Sequence, residues 1–116
     1  MTTFEECREA ALGLPQAHEE MTWGEHTFRV GRKIFAMGGE EPGGGRLSVK
    51  ASPEEQTALV ASDPRTFSVA PYVGRFGWVR VDLAGADPAE VAELLAEAWR
   101  RTAPLGAPPG RSSGGW

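Results

Sequence analysis

The chain has 116 residues, 41% of them hydrophobic and 24% charged, and a formal net charge of −4. That length makes one domain with one modest core, and the acidic balance excludes a protein that coats nucleic acid by bulk electrostatics. No apolar run is long enough to span a bilayer, and the opening MTTFEECREA is acidic where a secretory signal would be basic and then apolar. The expectation is a cytoplasmic protein with no membrane partner. Cys7 is the single cysteine, so no intramolecular disulfide can form, and its place on an apolar helical stripe marks it as a small core residue.

Thr3 followed by Glu6 is a capping box, and Phe4, Cys7, Ala11 and Leu14 then recur at helical spacing until Gly13 and Pro15 stop the helix. Residues 17–23 form a strand with Met21 and Trp23 on one face, Trp23 packing at its end before Gly24-Glu25 turns the chain. Phe28 and Val30 alternate with Thr27 and Arg29 in a second strand. Gly31-Arg32 turns tightly into a third, Lys33 to Met37. The composition GGEEPGGG makes 38–45 a loop. In Arg46 to Lys50, Leu47 and Val49 point inward. Ser52-Pro53-Glu54-Glu55 caps a helix that runs to about Ser62. An irregular stretch with Pro71 precedes the strand Trp78 to Leu83. Asp87-Pro88-Ala89-Glu90 caps the last helix, whose buried face carries Val91, Leu94, Leu95, Ala98 and Thr102, with Trp99 completing the core. A single domain over 1–103 and a flexible tail over 104–116 follow.

That order is α+β: a two-layer sandwich with an antiparallel sheet of about five strands and helices on one face. The other face stays open. Alternation lines it with Arg29, Arg46, Ser48, Lys50, Trp78 and Arg80, with Asp82 beside them. Charge is unevenly spread along the chain. Residues 1–25 hold Glu5, Glu6, Glu9, Glu19, Glu20 and Glu25 against Arg8, whereas 26–50 hold Arg29, Arg32, Lys33, Arg46 and Lys50 against Glu40 and Glu41. An anion-binding surface belongs to that second quarter.

No catalytic set assembles, so the expectation is a protein that is not an enzyme and needs no cofactor. His18 and His26 lie at no ligand spacing with another His or Cys, which leaves them incidental and no metal site expected. No base is spaced to activate a serine, and the glycine-rich loop lacks the Lys-Ser/Thr of a phosphate-binding loop. Val30-Gly31-Arg32-Lys33 and Val73-Gly74-Arg75-Phe76 repeat Val-Gly-Arg, each read as a turn with its arginine at the tip. Two such basic hairpin tips could straddle phosphates. Trp78, on the open face, could stack on a base or another planar ligand. The candidate binding residues are therefore Arg29, Arg32, Lys33, Arg46, Lys50, Arg75, Trp78 and Arg80. The candidate partners are DNA or, alternatively, a small planar ligand or a protein on the open sheet face.

Trp23-Gly24, Phe28 to Ala36, Val49-Lys50 before Pro53-Glu54, and Ala70 to Val79 together resemble the MmcQ/YjbR-like family over residues 1 to about 103. The resemblance implies a compact fold akin to that of bacterial frataxin, and DNA binding through a double-wing motif. Two positions depart from the family pattern. Leu14-Pro15-Gln16 replaces Leu-Pro-Gly, and Ala98-Trp99 replaces a Ser-Tyr pair.

Overall fold

Two tight turns set the first hairpins. In the computed structural model, which describes residues 2–42 and 44–104, β1 (Ala17–Thr22) and β2 (Glu25–Val30) pair antiparallel as far as Thr22 against Glu25. Only Trp23 and Gly24 are left to reverse the chain. Both have positive φ, 55° and 82°, the mark of a type I′ turn, whose twist matches that of the strands it joins. β2 and β3 (Lys33–Gly39) meet through Gly31-Arg32, with Gly31 at φ 63°.

β4 (Arg46–Val49) follows antiparallel to β3. The third strand runs two residues further than its sequence suggests because Gly38 and Gly39 belong to it. A Cβ at Gly38 would stand 2.2 Å from the Arg46 carbonyl oxygen, so the bare glycine is what lets β4 come close. After α2 (Pro53–Ser62) comes a strand that its sequence does not announce, β5 (Phe67–Val69), and then β6 (Val79–Asp82). The sheet has six strands in the order β1-β2-β3-β4-β6-β5, all antiparallel, with β6 inserted between β4 and β5.

Each helix begins on a side-chain cap: Thr3 for α1 (Phe4–Leu12), Ser52 for α2 and Asp87 for α3 (Pro88–Thr102). These caps satisfy N–H groups that the first turn leaves without partners. Helices α1 and α3 pack on each other and on one face of the sheet. Val91, Leu94, Leu95, Ala98, Trp99 and Thr102 of α3 are buried there, with Phe4, Cys7 and Ala11 of α1. They meet Phe28, Val30, Phe35, Leu47, Val49, Val79 and Val81 from the strands. Trp99 also donates its indole N–H to the Pro15 carbonyl at 2.8 Å, which fastens the end of α3 to the α1–β1 turn. Helix α2 has no fully buried residue. It leans on β5 and contributes the half-buried Leu59 and Val60 to the core.

Three expectations change. Trp23 does not pack at the strand end: it is 98% exposed, because a two-residue turn projects both of its residues beyond the sheet. Trp78 does not present its ring to solvent: it is 7% exposed, just before β6 begins. Its carbonyl accepts from Ala70 N–H at 3.3 Å and from the Gln56 amide at 2.8 Å, so it sits at the neck of the 70–77 loop. The second Val-Gly-Arg is not a hairpin tip either. Gly74–Phe76 is a 3₁₀ turn in which Gly74 is buried. The flexible tail expected from residue 104 onward lies, apart from residue 104, outside the described residues.

Candidate nucleic-acid interface

Register decides which cations share an end of the sheet. Val30 pairs with Lys33, Ala36 with Val49, Val49 with Val79, and Val79 with Val69. One end therefore carries Arg32, Lys33, Lys50 and, through the 70–77 loop, Arg75. The other carries Glu25, Glu40, Glu41 and Asp82, with Arg46 among them. At the first end Arg32, Lys33, Lys50 and Arg75 form no ion pair among the described residues. Arg32 and Lys33 are exposed at a tip. Arg75 is exposed too, its guanidinium 4.8 Å from the Phe76 ring centroid, a contact that orients the charge without neutralising it. The first turn of α2 brings Glu54 and Glu55 to this end, Glu55 being paired with Arg101 at 3.2 Å.

The open face is less basic than alternation suggests. Arg29 is held by Thr22 at 3.0 Å and Thr27 at 3.3 Å, with Glu20 3.8 Å away. Arg46 lies between Glu41 at 2.7 Å and Glu25 at 3.3 Å. Both arginines are therefore largely neutralised within the fold. Arg80 does stand on this face, between Ser48 of β4 and Ser68 of β5. The eight candidate residues thus divide: four unpaired at one end, two paired on the face, Arg80 apart, and Trp78 buried.

Among the described residues the most exposed aromatic groups are Trp23 and Tyr72, 98% and 97% exposed and each on left-handed backbone at φ 55° and 65°, followed by Phe76 at 59%. Pro71, Tyr72 and Val73 line a groove of about 240 Å³ together with Glu25, Met37 and Ser48. The sequence offers no sign of this. A Pro-Tyr-Val-Gly loop reads the same whether it projects outward or folds back.

On the helix side, Glu19 joins three elements. It accepts from Arg8 of α1 at 2.8 Å and hydrogen-bonds His26 of β2, whose ring stacks on Phe4 at 4.9 Å between centroids. His26 is thus not incidental. Burial opposes ionisation of the Glu19 carboxyl, but the His26 and Arg8 hydrogen bonds outweigh it and hold the group below the usual carboxylate range. His18 and Glu20 face the other side of β1, 3.2 Å apart.

Fold and surface define a small α+β domain with one face of its sheet covered by helices and a cationic end that forms no ion pair among the described residues. The chain belongs to the YjbR family, whose profile matches residues 12–101. Three proteins, Mb2600 of Mycobacterium bovis and MT2646 and Rv2570 of Mycobacterium tuberculosis, are each 30% identical over 120 aligned positions. Each of those alignments covers 90% of this chain and 91% of the relative. The crystal structure of Deinococcus radiodurans protein DR2400, a DUF419 domain, superposes with a TM-score of 0.77 at 24% identity, over 85% of this chain and 77% of that one. The latter likeness establishes the fold.

Proposed function

We propose that this domain binds duplex DNA without catalysis, gripping the sugar–phosphate backbone with the basic end of its sheet. One observation carries the reading: Arg32, Lys33, Lys50 and Arg75 gather at one end with no carboxylate partner among the described residues. Half-buried arginines such as Arg29 and Arg46 are paired instead. Cations left without carboxylate partners are available to displace counterions from phosphates, and such contacts position a protein without reading sequence. The net charge of −4 keeps this binding weak, and its salt dependence follows the number of phosphates neutralised.

Changing Arg32 and Arg75 together to Ala tests it. Duplex affinity should fall by a similar factor on unrelated DNA sequences. The slope of log affinity against log salt should become shallower by about 1.8, roughly 0.9 for each phosphate no longer neutralised. Melting should stay near wild type, since exposed turn arginines add little stability. Wild-type protein that shows no salt-sensitive binding in low-salt buffer would end the proposal.

A further inference from the structure

Arg80 is an exception to a rule the rest of the domain keeps. The other half-buried arginines have carboxylate partners: Arg8 has Glu5 and Glu19, Arg29 has Glu20, and Arg46 has Glu25 and Glu41. Arg80 is half-buried on β6, and its guanidinium has neither an ion pair nor a hydrogen-bond acceptor among the described residues. Asp82, two residues along on the same face, gives its carboxylate to the Ala84 N–H of its own turn at 3.2 Å. Its five donors keep the planar fork that suits oxyanions, and none of them is spent inside the fold among the described residues.

The surroundings form a receptor. A cleft of about 300 Å³ on the open face is lined by Arg80, Arg46, Arg65, Ser68, Thr66 and Asp82, among others. Register fixes the layout, with Ser68 and Ser48 flanking Arg80 on its two sides and Arg46 opposite Asp82. Arg65 enters from the turn before β5 and is likewise without an ion pair among the described residues. Since Glu25 and Glu41 already neutralise Arg46, the free charge in the cleft is that of Arg65 and Arg80, set against Asp82.

We propose that this cleft binds the phosphate monoester of a small polyhydroxylated molecule. Two arginine forks match a phosphate dianion. The carboxylate of Asp82 and the hydroxyl of Ser68 can exchange hydrogen bonds with ligand hydroxyls. No aromatic side chain lines the cleft, so a nucleobase finds nothing to stack on, and the Asp82 carboxylate in its lining disfavours a polyanionic backbone. It opens toward the acidic end of the sheet, away from Arg32, Lys33, Lys50 and Arg75. The site is therefore separate from the DNA-binding surface proposed above, and either can fail alone.

Calorimetric titration of the full chain with ribose 5-phosphate, ribose and inorganic phosphate tests the assignment. Wild type should bind ribose 5-phosphate at least about tenfold more tightly than either fragment, the worth of one or two added hydrogen bonds. Arg80→Met should weaken it by about tenfold or more, with circular dichroism unchanged, while the Arg32→Ala, Arg75→Ala double variant binds it as wild type does. Absence of wild-type binding at millimolar sugar phosphate would overturn the proposal. So would equal affinity for inorganic phosphate, or indifference to Arg80→Met.

Discussion

The same tripeptide serves two purposes in this chain. In Val30-Gly31-Arg32 the glycine supplies a positive φ of 63° with open space around it. In Val73-Gly74-Arg75 it supplies room, because a Cβ there would stand 2.3 Å from Val69 Cγ1. The arginines after them consequently end in different structures, one at a hairpin tip and one in a 3₁₀ turn. Three side chains occupy backbone where glycine would rest without strain: Gln16 at φ 59°, Trp23 at φ 55° and Tyr72 at φ 65°. A residue with a Cβ loses about 1–2 kcal/mol in the left-handed region, and Asn less than most. Since Asn-Gly is the favoured pair in a type I′ turn, Trp23→Asn should stabilise the domain by about 0.5–1 kcal/mol. Urea denaturation checks this, and a lower midpoint would mean that the exposed indole has a stabilising contact.

At the scale of elements, α2 works through one side chain. The Gln56 amide donates to the carbonyls of Gly74 and Trp78, both at 2.8 Å, and so closes the 70–77 loop that carries Arg75 and Tyr72. Gln56→Ala should cost about 1–3 kcal/mol, two bonds with their acceptors left wanting, and should speed proteolysis within 70–77 ahead of the rest of the chain. A cleavage pattern identical to wild type would show that the loop is held by other contacts. The helices were legible because cap and stripe agree: Thr3, Ser52 and Asp87 each precede an apolar period. The strand β5 was not, since Phe67–Val69 is three residues long and leaves Val69 56% exposed, which removes the alternation. Trp78 was misplaced by carrying the rhythm of Arg80 and Asp82 one residue beyond the start of the strand. Of the candidate site, Arg32 and Lys33 at the β2–β3 tip were readable from local turn signals, whereas the same signal at Arg75 belongs to a 3₁₀ turn. The pairing of Arg46 with Glu25, 21 residues away, depends on strand order and has no local trace. Arg65 was missed for the same reason, as only the insertion of β6 beside β5 brings it to the cleft.

For the whole molecule, acid and alkali act on different groups. Burial first, and Glu6 second, push the Cys7 thiol up from 9.0 to about 12. Above pH 9 the unfolded chain ionises this thiol while the folded chain does not. Stability from Cys7 is therefore intact below pH 9 and drains away between 9 and 12, by up to about 1.4 kcal/mol per pH unit. Cys7→Ala should flatten that alkaline limb in urea titrations at successive pH values, and an unchanged limb would place its origin elsewhere. On the acid side the sign reverses. The lowered carboxyl of Glu19 stabilises the fold above its unfolded value near 4.5 and loses that effect as pH falls. The insertion of β6 has a consequence in time as well as in space. The strands β1 to β4 follow one another through sequential hairpins and can assemble from contacts near in sequence, which form fastest. The β4 edge then waits for Val79–Asp82, while the β5 strand already made must keep from pairing with it directly. During synthesis from the N-terminus, about 30 residues leave the ribosome between completion of β4 and arrival of its neighbour, an interval of a few seconds at ordinary elongation rates. Through that interval Arg46 and Ser48 lie on an unpaired edge, and the charge and hydroxyl they bear discourage a second nascent chain from taking the vacant place.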